Sequence, residues 1–171
     1  GGKEICDLLV VCGDDIVIFS DKECKFPDSG DLNRDWCRWF KRAIAKSADQ
    51  VWGAERWLIK HPDRVFLDSN CTEPFPFDIP SHSGTRIQRV VVAHGSELRA
   101  RREIGGTGSL IVAPLIEGKT HFSPEAEGYL PFAVGDIDRD RGFVHVLDDF
   151  SLDLVLETLD TISDLIQYLT R

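Results

Sequence analysis

The chain has 171 residues, a net charge of −9 and 42% hydrophobic residues, which favours one compact domain with a sizeable core over residues 1–171. The negative charge opposes broad, nonspecific DNA binding, because that binding depends mainly on Lys and Arg neutralising phosphates. No apolar run approaches the roughly 20 residues of a membrane-spanning helix, and the five cysteines have no C-x-x-C spacing. We therefore expect a soluble, cytoplasmic protein with reduced thiols.

The two ends of the sequence suggest a longer parent protein. The chain contains no Met, begins at Gly1 and ends at Arg171 directly after a helical pattern. We expect it to be a piece of a longer polypeptide, the remainder of which would be a partner.

Two apolar runs near the N-terminus predict a β-hairpin. They cover residues 6–12 (CDLLVVC) and 16–19 (IVIF), and they flank the turn-forming residues 13–15 (GDD). Because both runs are almost continuously apolar, we expect both faces of the hairpin to be buried.

A long helix is predicted from Arg34 to Lys60, ended by Pro62. Apolar and small residues recur at three- and four-residue intervals and define a core-facing stripe: Trp36, Phe40, Ala43, Ile44, Ser47, Val51, Ala54 and Leu58. Four cations are interleaved with the tryptophans of this segment, Trp36, Trp39 and Trp52; they are Arg38, Lys41, Arg42 and Lys46. Such a cluster could hold a nucleic-acid backbone, although it is more often the solvated side of an amphipathic helix.

The rest of the chain predicts further strands and one more helix. Apolar or alternating runs predict strands at 65–67, 86–93 and 143–147, and the glycine-rich turn 105–109 (GGTGS) leads into another apolar run at 110–113. Ser151 would cap a final amphipathic helix. These elements predict an α/β (α+β) fold, in which helices flank a mixed central β-sheet.

The hairpin and the following helix also carry a pattern of polar residues. Residues 4–22 read EICDLLVV, then a turn, then IVIFSDK. This segment resembles the PD-(D/E)xK nuclease superfamily, most closely its NERD-like and RecB-like branches, and the resemblance extends more loosely to about residue 60. It implies a restriction-endonuclease-like fold and Mg²⁺-dependent cleavage of DNA or RNA phosphodiesters.

The resemblance also assigns roles to individual residues. Asp7 matches the first acid, Lys22 the lysine and Gln50 the glutamine on the helix. Lys22 would stabilise charge at the phosphate or position the water, and Gln50 would orient groups at the site.

The second acid of the pattern is missing from its usual position. Two residues before Lys22 the chain has Ser20, whereas the superfamily has Asp or Glu there. In a regular strand Asp21 points to the opposite face from Lys22, so it would hold Mg²⁺ together with Asp7 only if a bulge turned it round. Glu23 is a further candidate substitute.

A second interpretation uses the same fold without catalysis. Asp7 could bind a nearby backbone N–H, and Gln50 could make a structural hydrogen bond to the sheet. The chain would then be a catalytically inactive nuclease-fold module that binds protein or nucleic acid within a larger protein.

Overall fold

The computed structural model describes residues 2–170, so Gly1 and Arg171 lie outside it. It opens with the predicted antiparallel hairpin, made of β1 (Leu8–Cys12) and β2 (Asp15–Glu23). Their register is regular, with Leu8 opposite Phe19 and Cys12 opposite Asp15. Gly13 in the turn has a φ of 59°, a left-handed conformation that glycine adopts without steric cost.

Burial of the hairpin differs between its two strands. β2 is buried from Asp15 to Ser20, whereas every residue of β1 is at least partly exposed. β1 lies at the edge of the sheet, so the prediction that both faces of the whole hairpin are buried is wrong for this strand.

The predicted long helix is confirmed, with its end at Lys60 and its start two residues earlier than expected. It comprises α1 (Leu32–Phe40), a π-helical turn (Lys41–Ala45) and α2 (Lys46–Lys60). Asp31 caps the start, because its side chain accepts a hydrogen bond of 3.1 Å from the Arg34 N–H.

The main sheet contains four strands in the order β1-β2-β3-β6. β3 (Arg86–His94) is parallel to β2, and β6 (His145–Leu147) is parallel to β3. The strand predicted at 86–93 is confirmed, whereas the one predicted at 143–147 begins only at His145. No strand forms at 65–67, where the described chain makes an isolated bridge between Phe66 and Pro74.

A second, two-stranded parallel sheet is formed by β4 (Ile111–Glu117) and β5 (Ala133–Asp136). α3 (Glu97–Ile104) precedes it, and a 3₁₀ turn (Gly118–Phe122) connects its strands.

The C-terminal helical region differs from the prediction in its cap and its continuity. Two helices form, α4 (Asp149–Thr158) and α5 (Ile162–Leu169). Asp148, and not Ser151, is the N-cap of α4, and Ser151 is the third helical residue, completing a capping box with Asp148.

Helices cover both faces of the main sheet, which confirms the predicted α/β class. On one face Ile16 and Ile18 of β2 pack with the α1–α2 segment; on the other, Val17 and Phe19 pack with α4 and α5. Side chains alternate along a strand, so Ser20 and Lys22 belong to the α1–α2 face. Asp21 belongs to the α4–α5 face.

Three of the tryptophans fill the core on the α1–α2 side. Trp36 and Trp39 are fully buried and Trp52 is 3% exposed. Each indole N–H donates to a backbone carbonyl, at His121, Cys24 and Gly142 respectively. These rings are therefore structural and are not available to stack on bases.

Candidate functional site

The polar residues predicted from the nuclease resemblance lie where β2 approaches its C-terminal end. Ser20 is fully buried, and its hydroxyl donates a hydrogen bond of 3.3 Å to the Gln50 side-chain carbonyl of α2. Gln50 and Lys22 are themselves exposed. Gln50 therefore contacts Ser20 directly, and Lys22 lies two residues farther along the same face of β2.

Asp7 approaches this arrangement from the residue just before β1. Its N–H donates to the Phe19 carbonyl at 3.1 Å. Phe19 is already paired with Leu8, so the regular register of the hairpin ends there. One carboxylate oxygen of Asp7 accepts a hydrogen bond of 2.8 Å from the Asp21 N–H.

Asp21 points away from this group. The parallel pairing of β2 with β3 is regular through this residue, with Asp21 opposite Val92, so it shows no bulge that would turn the side chain round. Its carboxylate instead lies 2.9 Å from the His94 Nε2 on the α4–α5 face. Asp21 thus contacts Asp7 through its backbone and His94 through its side chain.

His94 connects two strands to a helix. Its Nε2 contacts Asp21, and its Nδ1 lies 2.5 Å from the Asp149 carboxylate at the start of α4. Burial of the ring, the largest single effect, disfavours the charged form. The Asp149 hydrogen bond and the charges of Asp149 and Asp21 outweigh it and raise the pKa of His94 above its ordinary value.

The order of the predicted strands could have indicated this histidine. His94 directly follows the strand predicted at 86–93, and Asp149 lies just after the strand predicted at 143–147. The carboxyl ends of parallel strands lie at the same edge of a sheet, so a parallel pairing of these strands would have brought the two residues together.

A cleft of about 930 Å³ opens beside these residues. Asp21, His94 and Asp149 line one part of it, and α3 with the segment after β2 lines the rest. Its charged side chains are mixed in sign: Asp21, Glu23, Lys25, Asp28, His94, Glu97, Arg99, Arg102 and Asp149. Lys22 and Gln50 are not among the lining residues, so the cleft is distinct from the group around Ser20.

The Asp7 carboxylate near Ser20 does not by itself form a complete protein site for Mg²⁺. Among residues 2–170, no three or more His, Cys, Asp or Glu side chains are grouped to hold a metal ion. Mg²⁺ is commonly held by one or two carboxylates together with substrate phosphates and waters. Asp7 can supply one such oxygen, because the Asp21 N–H contacts only its other oxygen.

Cys6, beside Asp7, does not extend the ligand set. Burial, with smaller contributions from the charges of Asp7 and Glu4, raises the pKa of its thiol to about 11. Cys6 is therefore a neutral thiol at physiological pH. The form of cysteine that binds metals is the thiolate.

Comparison with known proteins gives no relative for this chain. No protein-family model matches it, and neither the curated proteins nor the solved structures give a match. The nuclease hypothesis therefore depends on the residue pattern at 4–22 and on the geometry described above.

Proposed function

We propose that this chain is a metal-dependent nuclease-like domain that acts on DNA or RNA phosphodiesters. The observation that carries the proposal is the hydrogen bond between Ser20 and Gln50. It joins the helical glutamine to the strand position that the PD-(D/E)xK pattern reserves for an acid, on the face shared with Lys22. The four-stranded mixed sheet and its crossover helix agree with that fold.

In this proposal Asp7 is the metal-binding carboxylate. Mg²⁺, when bound there, would polarise a phosphoryl oxygen and favour a hydroxide nucleophile. Asp7 is held in place by the N–H of Asp21, so Asp21 contributes as a positioning residue. Its predicted role as second ligand would need its carboxylate to leave His94.

Lys22 and Gln50 act on the substrate side of the same face. The Lys22 ammonium would stabilise the charge that develops on the phosphate, or position the attacking water. The Gln50 amide N–H₂ remains available as a donor, because the Ser20 hydroxyl contacts the amide oxygen. Ser20 thereby fixes which end of the amide faces a substrate.

An inactive binding module is the second candidate function. The observation that favours it is the fully buried Ser20 at the position of the missing acid, with Asp21 on the other face. One protein carboxylate is a poor site for Mg²⁺, which dehydrates reluctantly. Such a module would bind nucleic acid or protein within a larger polypeptide.

We also propose that the protein is cytoplasmic. Its five cysteines are all free thiols in the structure, as expected where glutathione and thioredoxin keep thiols reduced. None of the described helices has the length and apolar character needed to cross a membrane.

The test of the proposal is metal-dependent cleavage of plasmid and single-stranded DNA and of RNA. Wild-type protein with millimolar Mg²⁺ or Mn²⁺ should cleave at least one of these substrates. Asp7→Ala and Lys22→Ala should each lower the rate by about 100-fold or more, within the range of single catalytic groups. The matched controls are Asp14→Ala, at the far end of the hairpin, and Lys60→Ala, at the end of α2.

Two results would contradict the proposal. The first is an absence of cleavage by folded wild-type protein with either metal, which would favour the binding module. The second is cleavage that survives in both Asp7→Ala and Lys22→Ala, which would place the chemistry elsewhere.

A further inference from the structure

The α1–α2 segment differs in charge from the rest of the molecule. Residues 32–60 contain seven Lys or Arg and three Asp or Glu, a net of +4, whereas the whole chain has a net charge of −9. This contrast concentrates positive charge on one helical element. The overall charge therefore does not describe the field near this segment.

All three acidic side chains of the segment form hydrogen bonds or ion pairs with residues outside it. Asp35 is buried and accepts hydrogen bonds from the backbone and side chain of Ser29. Asp49 forms an ion pair of 2.5 Å with Arg141, from the loop before β6. Glu55 forms an ion pair with Arg89 of β3. None of them forms an ion pair within 4.0 Å with a cation of its own helix.

Four cations of the segment form what we call the basic stripe: Arg38, Lys41, Arg42 and Lys46. All four are exposed, and among residues 2–170 none lies within 4.0 Å of a carboxylate. Arg38 and Arg42 are four residues apart, and the π-helical turn stacks Lys46 on Lys41, because the Lys46 N–H bonds the Lys41 carbonyl. The stripe therefore follows one side of the helix.

The basic stripe leads to the site around Ser20. Lys46 and Gln50 are four residues apart in α2 and so lie on the same side, one turn apart. The helix runs antiparallel to β2, because Trp39 contacts the Cys24 carbonyl whereas Gln50, farther along, contacts Ser20. The stripe consequently lies toward the end of β2 that carries Lys22.

We propose that the basic stripe binds the phosphate backbone of a nucleic acid and guides it to Asp7 and Lys22. From Arg38 to Lys46 the basic stripe covers roughly 12 Å at 1.5 Å per residue, the rise of about three to four nucleotides in one strand of a duplex. Four unneutralised cations over this length suit a regular polyanion. The destination of the strand rests on the proposed function, whereas the binding surface does not.

Binding by the basic stripe has a measurable dependence on salt. Each Lys or Arg that neutralises a phosphate releases counterions, and the slope of log affinity against log salt changes by about 0.7 to 0.9 per contact. The experiment measures fluorescence anisotropy of labelled single-stranded and duplex DNA in EDTA, from 25 to 200 mM salt. EDTA separates binding from metal-dependent cleavage.

The test variant carries Lys41→Gln, Arg42→Gln and Lys46→Gln together. We expect its affinity at low salt to fall about tenfold or more and its salt slope to shrink by about 2. The matched control carries Arg56→Gln, Lys60→Gln and Arg64→Gln, which remove the same charge from the last turn of α2 and the residues just after it. It should keep most of the wild-type affinity. Circular dichroism verifies that both variants fold.

Three outcomes would overturn this inference: wild-type protein that does not bind DNA, equal losses in test and control variants, or equally tight binding of polyglutamate. Asp7→Ala separates the inference from the proposed function, because it should keep full DNA affinity in EDTA. DNA binding without cleavage would support the stripe and contradict the nuclease. Cleavage that is unaffected in the test variant would support the nuclease and contradict the role of the basic stripe.

Discussion

At the scale of single residues, His94 is the group with the most unusual surroundings. Carboxylates contact both of its ring nitrogens, Asp21 at 2.9 Å and Asp149 at 2.5 Å. A protonated imidazole donates at both nitrogens, whereas a neutral one donates at a single nitrogen. Only protonated His94, in β3, can therefore donate to Asp21 of β2 and to Asp149 at the start of α4 at the same time.

We predict that His94 makes stability depend on pH. Its pKa is raised in the folded protein, so its contribution is fully present below the unfolded value of about 6.5. That contribution is lost as pH rises through the folded pKa. Urea unfolding at pH 6 should show His94→Gln destabilised by about 1.5 kcal/mol, in the range of a hydrogen bond to a charged group, and the difference should shrink by pH 9.

The control for this prediction is His82→Gln. His82 contacts Asp14 at 3.1 Å, but both side chains are more than half exposed, so their pairing should contribute little at any pH. A pH-independent difference between wild-type and His94→Gln would contradict the assignment of the proton to this histidine.

The sequence predicted on which face of the sheet the site residues lie, but not which residues their side chains contact. Period-two alternation correctly placed Asp21 opposite Lys22, because β2 is regular. The Asp21–His94–Asp149 connection was missed, since His94 and Asp149 are 55 positions apart. Local spacing contains no information about contacts at that separation.

At the scale of elements, local signals predicted the long helix well. Pro62 correctly predicted its end at Lys60, and the apolar stripe correctly identified Trp36 as a core residue. The π-helical turn at Lys41–Ala45 was not predicted, because it occurs inside an uninterrupted helical pattern.

The cap of α4 illustrates how tertiary contacts select among polar residues. Asp148 and Ser151 both suit an N-cap position. Asp148 takes it, and its second oxygen also accepts hydrogen bonds from the Ser109 hydroxyl, at 2.7 Å, and the Leu110 N–H, at 2.5 Å. Asp148 is 3% exposed and thus joins α4 to the start of the second sheet.

We predict that Asp148→Ala destabilises the protein by about 2–4 kcal/mol. The loss combines a helix cap, about 1 kcal/mol, with an unpaired, part-buried N–H at Leu110, about 1–3 kcal/mol. Thr161→Ala is the matched control, because Thr161 caps α5 through the Asp164 N–H and is exposed. It should cost only about 0.5–1 kcal/mol. Equal losses in urea unfolding would show that Asp148 acts only as a cap.

At the scale of the whole molecule, the sheet separates two polar arrangements. Ser20, Lys22 and Gln50 lie with the α1–α2 segment, whereas His94 and Asp149 lie with α4. The sequence predicted the α/β class and the mixed sheet. It did not predict the order β1-β2-β3-β6, because strand order depends on long-range packing that periodicity does not encode.

We propose that this scaffold has nuclease geometry and lacks one acid. Restoring that acid tests the claim directly, by calorimetric Mg²⁺ titration of Ser20→Asp with DNA cleavage followed in parallel. We predict that Ser20→Asp binds Mg²⁺ roughly tenfold or more tightly than wild-type, because a second carboxylate joins Asp7. The gain should disappear when Asp7→Asn is added.

Ser20→Asn is the matched control, since it has nearly the same size and no charge at this fully buried position. It should show neither tighter Mg²⁺ binding nor faster cleavage than wild-type protein. A folded Ser20→Asp protein that binds Mg²⁺ no better than Ser20→Asn would contradict the nuclease geometry. We predict that Ser20→Asp shows a clear gain in Mg²⁺ affinity and in cleavage rate, and that this gain depends on Asp7.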